Sequence, residues 1–376
     1  MRLLIYEYCT ALGIEGNDAL ASLGFSMLAA VLSDFKELPS LHITTIIHSS
    51  NCNLMAQFAA DRVQVSWASE GGETCCDHYE RVVADCDAVL VIAPETGGLL
   101  AKLIGIAEDQ GKIVFGPTAK AAALVSDKGE TTKLLASHGL PVPRSEILSW
   151  PLPLQWQDKI TDHYAWPLVL KPVTGAGGQG VKVIHNLIEL ECAVKQFEEA
   201  LDIHACPRHE FRAIQVQEYI SGDNVSVSCF VSAGQAMPIS LNLQHIAQGK
   251  ELCFQGITIP YRYPQAGKVL DLAKRACESV EGLGGFVGVD LVLGAQGPVL
   301  IEINSRISVA YVALREVVTG NLARDLWLTC VEKCLPPRPE LMKTYTYTYT
   351  PVLSSMAQTF RTFRSIYLLK LHKSCL

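Results

Sequence analysis

The segment Leu168–Ile184, LVLKPVTGAGGQGVKVI, combines a lysine with a run of glycines. Gly175, Gly177 and Gly180 have the G-x-G-x-x-G spacing of a loop whose backbone amides bind phosphate. In a dinucleotide-binding fold a helix follows the third glycine, whereas here the β-branched run VKVI follows. We therefore predict a glycine-rich hairpin over phosphate groups, with Lys171 supplying positive charge, rather than a dehydrogenase loop. Taken alone, the segment is equally compatible with a flexible hairpin and a solvated lysine.

Oxygen-bearing side chains interrupt two apolar segments further along the chain. Asp290 lies in GVDLVL, and Glu302 and Asn304 stand two apart in VLIEINSR. Residues two apart on a strand project from the same face, and a hairpin partner brings Asp290 within reach. Two carboxylates and an amide oxygen suit Mg²⁺, which completes its shell with phosphate and water. Arg306 could then steady a transferring phosphoryl group; the competing interpretation is that the carboxylates pair with lysines such as Lys182.

A third polar segment, QVQEYISGDN, occupies Gln215–Asn224. Its strand-like first half ends in a turn whose backbone and acidic side chains suit an adenine edge and a ribose. Taken alone, an ordinary surface turn explains this segment better.

The elements that must position these residues fall into two halves. Strands alternate with helices over residues 1–115, which predicts a small parallel α/β domain. Its predicted strands are Leu3–Tyr6, Ile43–His48, Ala88–Ala93 and Lys112–Phe115, and its predicted helices are Asn17–Leu32 and Leu99–Gln110.

From Thr118 onward, helices and hairpin-like strand pairs predict an α+β domain. The predicted helices are Thr118–Ser126, Lys128–His138, Leu187–Leu201 and Ala310–Cys330; the predicted strands are Leu168–Lys171, Val181–Ile184, Ile214–Tyr219, Val225–Val231, Gly288–Leu293 and Pro298–Ile303. We place this domain at residues 116–335, with a lid at about 140–215 and a Mg²⁺-binding part at about 216–335. The tail, residues 336–376, contains TYTYTYT, which is compatible with a strand or a polar surface segment.

Composition narrows the class of protein. The 376 residues are 49% hydrophobic and 18% charged, with a net charge of −7 and no basic block, so nucleic acid and membrane are not expected partners. The thirteen cysteines include no C-x-x-C pair, which favours buried free thiols over zinc sites or disulfides. No signal-peptide layout or bilayer-length apolar run occurs, and we expect a cytoplasmic protein.

Together, these segments resemble the ATP-grasp superfamily of carboxylate–amine ligases. The resemblance extends from about Gly116 to Cys330 and rests on six segments in the family's order. These are DK at Asp127-Lys128, VLKP at Val169–Pro172, the glycine-rich loop, QEYISG at Gln217–Gly222, GVD ending at Asp290, and EINSR at Glu302–Arg306. The resemblance implies an α+β ATP-grasp fold with a preceding small parallel α/β (pre-ATP-grasp) domain.

The resemblance also implies residue roles. Lys128 and Lys171 match phosphate-contacting lysines, and Arg306 matches an arginine near the reacting phosphate; we take Lys171 and Arg306 as catalytic. The implied metal ligands are Asp290, Glu302 and Asn304, for one or two Mg²⁺ (or Mn²⁺) ions. The implied ATP-binding residues are Lys128, Lys171, Gly175, Gly177, Gly178, Gln217, Glu218, Tyr219, Ile220, Asp223 and Asn224.

Two positions depart from the family pattern: Asn224 stands where members usually have glutamate, and Ser305 where they often have proline. The ribose contact could therefore pass to Asp223.

The implied reaction joins a carboxylate to an amine through an acylphosphate, with ATP as co-substrate. YEYCTALG at Tyr6–Gly13, IAPETGG at Ile92–Gly98 and EINSRISVAYVALR at Glu302–Arg315 resemble the tyramine–glutamate ligase group. That resemblance implies glutamate and an aromatic amine as substrates, and makes Tyr311 and Arg315 candidates for contacting the amino acid, against the alternative that they lie on a helix surface. A homodimer is compatible with the resemblance to this ligase group. The alternative function is a catalytically inactive ATP- or ADP-binding regulator of the same fold.

Overall fold

The computed structural model describes residues 1–13, 18–49, 63–68, 75–175, 177–178, 180–203, 213–248 and 252–349. The tail from residue 350 onward and Asn17, the first residue of a predicted helix, lie outside these ranges. No helix among the described residues is both long enough and apolar enough to cross a membrane.

The first sheet of the described chain is parallel, with strand order β3-β2-β1-β4-β5. Its strands are β1 (Arg2–Glu7), β2 (His42–His48), β3 (Val63–Ala68), β4 (Ala88–Ile92) and β5 (Ile113–Val114). The helices beside it span Tyr8–Leu12, Asp18–Phe35, Cys75–Ala84 and Leu99–Asp109. β4 is buried throughout because helices cover both faces of a parallel sheet. The predicted parallel α/β domain is confirmed; the third strand and the helix after it were not predicted.

A four-stranded antiparallel sheet follows, in the order β6-β9-β7-β8. Its strands are β6 (Ser145–Ser149), β7 (Leu168–Pro172), β8 (Lys182–Ile184) and β9 (Ala213–Glu218), and the helices near it are Lys128–Ser137, Trp156–His163 and Leu187–Ile203. Helix Ala119–Ser126, which comes before them in the chain, packs instead with the core of the six-stranded sheet described next. β7 and β8 pair antiparallel from Leu168↔Ile184 to Leu170↔Lys182. The glycine-rich loop therefore joins two strands, as predicted, and no helix follows it.

A six-stranded sheet has the order β14-β13-β10-β11-β12-β15. Its strands are β10 (Gly222–Ser232), β11 (Gln235–Gln248), β12 (Leu252–Ile259), β13 (Gly285–Gly294), β14 (Gly297–Asn304) and β15 (Tyr345–Thr348). Helices Ala266–Glu278, Val309–Leu314 and Leu322–Cys330 accompany it. The prediction of one helix over Ala310–Cys330 was wrong, because the chain turns at Gly320, where φ is 100°, and Asn321 caps a second helix.

The first and third sheets share one hydrophobic core. It includes Ile5 of β1, Phe35 at the end of helix Asp18–Phe35, and Phe230, Phe286 and Tyr347 of the six-stranded sheet. Tyr347 belongs to the TYTYTYT repeat, whose strand pairs antiparallel with β12. Alternation buries Tyr347 and leaves Thr348 exposed, so part of the predicted tail is an edge strand that packs on the core.

Candidate functional site

A cleft lies between the β7–β8 hairpin and the six-stranded sheet. It encloses about 750 Å³, part of which is open to solvent. Its lining combines glycines, two lysines and apolar side chains: Lys128, Val169, Lys171, Pro172, Gly175, Gly177, Gly178, Val181, Gln217, Tyr219, Ile220, Asn224, Leu252, Val292, Ile301 and Glu302. Predicted residues that are 174 positions apart in sequence, Lys128 and Glu302, therefore meet in one cavity.

The glycine-rich loop has a backbone that suits close approach to a ligand. Gly177, Gly178 and Gly180 have φ values of 67°, 75° and 71°, in the left-handed region where a side chain is strained. The space around Gly180 is also limited, because a Cβ there would lie 3.2 Å from the Pro172 side chain. These glycines are needed for the tight turn that carries the loop over the cleft.

Two buried lysines form the cationic end of the cleft. The Nζ of Lys128 donates to the Gly175 carbonyl at 2.9 Å and lies 3.3 Å from Oε1 of Glu302. Lys171 is 3% exposed, and burial lowers its pKa to about 8. Buried ammonium groups favour an anionic ligand, which would restore the charge stabilisation that water supplies elsewhere.

The predicted carboxylate pair is directly registered across β13 and β14, with Asp290 opposite Glu302. Nδ2 of Asn304 donates to Asp290 at 3.0 Å, and Nε2 of Gln244, which was not predicted, donates to its other oxygen at 3.0 Å. Burial and the nearby Glu302 carboxylate raise the pKa of Asp290 to about 7. A divalent cation would relieve this repulsion, so the donor set fits Mg²⁺.

The set is small for a metal centre. No group of three or more His, Cys, Asp or Glu side chains with metal-binding proximity occurs in the described ranges. Two carboxylates and an amide are compatible with Mg²⁺ only if phosphate and water complete the shell. Asn304 donates to Asp290 through Nδ2, which leaves its amide oxygen as the atom that could bind the ion.

The raised pKa of Asp290 predicts pH-dependent stabilisation by Mg²⁺. Without metal, folded Asp290 keeps its proton up to about pH 7 while the unfolded chain loses it near 4, so its contribution to stability falls as pH rises through that window. If Asp290 holds Mg²⁺, it does so as the ionised carboxylate, so the metal should raise the melting temperature more at about pH 8 than at about pH 6. Asp290→Asn should make the shift smaller and nearly independent of pH; equal shifts for the wild type at both pH values would contradict this.

The segment Gln217–Asn224 contributes four of its residues to the cleft. Gln217, Tyr219, Ile220 and Asn224 line it, whereas Asp223 accepts a hydrogen bond from the Tyr261 hydroxyl at 2.8 Å. Because side chains alternate along β10, Asn224 and Asp223 face opposite sides of the sheet. The Asp223 carboxylate is thus engaged with Tyr261 in this structure, and a ribose contact at Asp223 or Asn224 stays a prediction.

Glu218 is also directed elsewhere. Its carboxylate accepts from the backbone N–H of Arg144 at 3.0 Å and from Arg144 Nε at 3.4 Å. Only its backbone remains as a candidate contact for a ligand at the hinge. Lys182, considered as a partner for the carboxylates, donates instead to Gln196 at 2.5 Å.

Arg306 is not among the residues that line the main cleft; it contacts the first domain. Its Nε lies 2.8 Å from Oε1 of Glu95, and its Nη2 donates to Oε2 at 2.9 Å. Burial alone lowers the pKa of Arg306, but the Glu95 carboxylate raises it above the ordinary value. Glu95 lies in the segment IAPETGG, and the sequence alone assigned it no role. The only signal in the sequence was its position directly after an apolar strand, where an acidic residue is expected to be buried.

Tyr311 and Arg315 form contacts that neither alternative, a substrate contact or a helix surface, describes. The Tyr311 side chain is fully buried, and its hydroxyl donates to Oδ2 of Asp34 at 2.9 Å. Nε and Nη2 of Arg315 donate to Oδ1 of Asp34 at 3.0 and 2.7 Å. They therefore neither lie free on a helix surface nor face the cleft; they join helix Val309–Leu314 to helix Asp18–Phe35.

Comparison with known families gives two adjacent matches. Residues 125–310 match the family described as an ATP-grasp domain, and residues 44–122 match the pre-ATP-grasp 3 domain. The predicted fold class is thereby confirmed, and the matched family consists of ATP-grasp ligases.

Characterised relatives are ligases of several kinds. Tyramine–L-glutamate ligase of Methanocaldococcus fervens is 24% identical over 316 residues, which cover 83% of this chain and 89% of that protein. The Methanocaldococcus jannaschii enzyme is 35% identical over 100 residues, or 27% of this chain and 31% of that protein. Phosphoribosylamine–glycine ligase of Xylella fastidiosa is 28% identical over 191 residues. The alignment spans 47% of this chain and 41% of the Xylella enzyme, so less than half of that relative is matched.

Solved structures share the fold over nearly the whole chain. An ATP-grasp superfamily protein from Archaeoglobus fulgidus superposes with a TM-score of 0.67 and 24% identity, covering 95% of both chains. The biotin carboxylase domain dimer of Hydrogenobacter thermophilus, solved with MgADP, superposes with a TM-score of 0.69 and 16% identity. The superposition covers 92% of this chain and 73% of that one. ATP-grasp ligases use ATP and Mg²⁺, which confirms the prediction of that co-substrate and metal.

Proposed function

Because this chain belongs to the ATP-grasp superfamily, with a pre-ATP-grasp domain before its ATP-grasp domain, we propose that it joins a carboxylate to an amine at the expense of ATP. We further propose glutamate, through its γ-carboxylate, as the acid and tyramine as the amine. The observation that carries the ligase proposal is the cleft, which brings two buried lysines and Glu302 together beneath a glycine-rich hairpin, with Asp290 registered opposite Glu302 on the neighbouring strand.

The cleft lining combines apolar and charged side chains, as a nucleotide site requires. Val169, Leu252, Val292 and Ile301 supply apolar surface that suits an adenine ring. Lys128 and Lys171 supply positive charge, which phosphates would compensate. Because Nζ of Lys128 lies 3.3 Å from Oε1 of Glu302, we place the phosphates near Glu302.

We assign residue roles accordingly. Lys128, Lys171 and the amides at Gly175, Gly177 and Gly178 contact phosphates. The adenine lies against the segment from Gln217 through Glu218 and Tyr219 to Ile220, and the ribose lies near Asn224. Asp290, Glu302 and Asn304 hold Mg²⁺, which when bound neutralises charge on the phosphates during transfer.

The reaction proceeds in two displacements. A carboxylate oxygen of the acid attacks the γ-phosphorus, the bond to the β-phosphate oxygen breaks, and ADP leaves. The amine nitrogen then attacks the acyl carbon, inorganic phosphate leaves, and the amine loses a proton. Lys171 and Arg306 stabilise the charge that develops on the transferring group, and the glycine-rich hairpin limits entry of water, which would hydrolyse the acylphosphate.

Similarity supports the choice of substrates. The alignment to the Methanocaldococcus fervens tyramine–L-glutamate ligase covers 83% of this chain and 89% of that protein, so it must extend into the first domain as well as the ATP-grasp domain. The other relatives act on different acids and amines, as their names state. The substrate pair is therefore the part of the proposal that most needs an experiment.

A substrate panel tests this function. We expect ADP release from the full chain with Mg²⁺ and ATP only when an acid and an amine are both present, and most strongly with L-glutamate and tyramine. D-Alanine with itself, and glycine with tyramine, serve as matched pairs. If ADP is released only with a different acid–amine pair, the ligase function stands and the proposed substrates are rejected. If the protein binds ADP but no pair leads to ADP release, the result favours the catalytically inactive regulator.

A further inference from the structure

A buried ion pair joins the first domain to the end of β14. Glu95 follows β4, and Arg306 follows β14 by two residues; their side chains are 3% and 13% exposed. Nε and Oε1 are 2.8 Å apart, and Nη2 donates to Oε2 at 2.9 Å. Only the Nη2–Oε2 pair is a hydrogen bond, but the two close atom pairs together hold the guanidinium group against the Glu95 carboxylate.

The partners leave part of the guanidinium for a ligand. Of the five N–H donors that an arginine carries, two form hydrogen bonds among the described residues, one to Glu95 and one to the Ile307 carbonyl. The buried Nε is close to Oε1 of Glu95 but is not hydrogen-bonded to it. One donor each on Nη1 and Nη2 therefore remains, and the side chain, which is 13% exposed, is not fully enclosed.

The location of Glu95 fits a functional contact. In the parallel sheet, β1 has β2 on one side and β4 on the other, so the chain order reverses between β1 and β4. Ligands of open α/β sheets bind outside the carboxyl ends of the strands at such a point, and Glu95 lies there. The turn that follows it is fixed by Gly97 and Gly98, which have φ values of 62° and 70°.

Stability alone does not explain this pair. Burying two charges costs about as much as their attraction returns, so a buried ion pair is weak evidence for a stabilising role. A fixed guanidinium does benefit transfer chemistry, because a side chain that is already oriented loses no rotamer entropy in the transition state.

We propose that Glu95 is a positioning residue that holds the Arg306 guanidinium towards the reacting carboxyl or phosphoryl group. The first domain then completes the reaction centre of the ATP-grasp domain rather than only packing against it. This inference rests on the proposed ligase function.

The first measurement is kinetic, with L-glutamate, tyramine and MgATP. Glu95→Gln keeps the shape and removes the charge, and we expect kcat to fall by about 10²-fold with little change in the KM for ATP. Glu95→Asp should recover part of the loss. Glu80→Gln, on an exposed position of helix Cys75–Ala84, should match the wild type. Wild-type kcat in Glu95→Gln, or a loss explained by partial unfolding in the melting curve, would overturn the inference.

The second measurement does not depend on turnover. In protein labelled with ¹⁵N-arginine, Arg306→Lys identifies the Arg306 Nε–H resonance, which should be shifted by its carboxylate partner. Glu95→Gln should move that resonance towards the position of a solvated arginine, and an unmoved resonance would overturn the inference. If the wild type turns over no acid–amine pair, the proposed function fails, and this spectrum alone decides whether Glu95 orients Arg306.

Discussion

Glu302→Gln is expected to lower ADP release by about 10²- to 10³-fold while the protein remains folded. Glu302 is registered opposite Asp290 and lies 3.3 Å from Lys128, so its charge acts on both the proposed metal and the proposed phosphate site. Glutamine keeps the volume and loses the negative charge. The Lys128 Nζ would keep its bond to the Gly175 carbonyl, which is why the fold should tolerate the change.

The matched control is Glu130→Gln. Glu130 forms an exposed ion pair with Lys133 at 2.8 Å, with 55% of its side chain accessible, and such pairs contribute little. The two variants and the wild type are compared by their steady-state rates of ADP release at saturating ATP. Melting curves of both variants check that they remain folded. Turnover of Glu302→Gln within about threefold of the wild type would remove the metal assignment.

Asp34→Ala is expected to lower the free energy of unfolding by about 3 kcal/mol. Asp34 is 5% exposed and accepts hydrogen bonds from Tyr311 and Arg315. Alanine would leave the buried Tyr311 hydroxyl without its acceptor and Arg315 without its carboxylate partner. Because Arg315 keeps 29% of its side chain exposed, water should recover part of its loss, so we expect a value at the lower end of the range for buried pairs.

Two further variants show whether the effect belongs to this contact. Asp34→Asn retains an acceptor for Tyr311 and should cost less than alanine. Asp271→Asn, at an exposed position of helix Ala266–Glu278, should change stability by no more than about 0.5 kcal/mol. The measurement is urea-induced unfolding. If Asp34→Ala lowers the free energy of unfolding by less than about 1 kcal/mol, the contact does not stabilise the packing of helix Val309–Leu314 on helix Asp18–Phe35.

Local pattern was enough to predict the hairpin and the carboxylate pair. The β-branched run after Gly180 ruled out a helix there, and β7 pairs with β8 as expected. The spacing of Glu302 and Asn304 placed them on one face of a strand, and the hairpin register sets Asp290 opposite Glu302. Both conclusions depend on the two-residue period of a strand, which a short stretch of sequence already contains.

Contacts between distant segments were not predictable in this way. Glu95 and Arg306 are separated by 211 positions, and Asp34 and Tyr311 by 277. Gln244 reaches Asp290 only because β11 and β13 both flank β10. The periodicity of one segment does not indicate which side chain of a distant segment will contact it.

The sequence by itself therefore determined the parallel α/β character of the first domain, the glycine-rich hairpin and the grouping of the acidic residues, since these follow from backbone preferences and strand alternation. Tertiary structure decided how each charged group is used. It selected Asn224 rather than Asp223 for the cleft, joined Arg306 to Glu95, and assigned Tyr311 and Arg315 to Asp34. The physical reason is that burial makes an unpaired charge costly, and the partner that resolves this cost is set by the packing of whole sheets and helices.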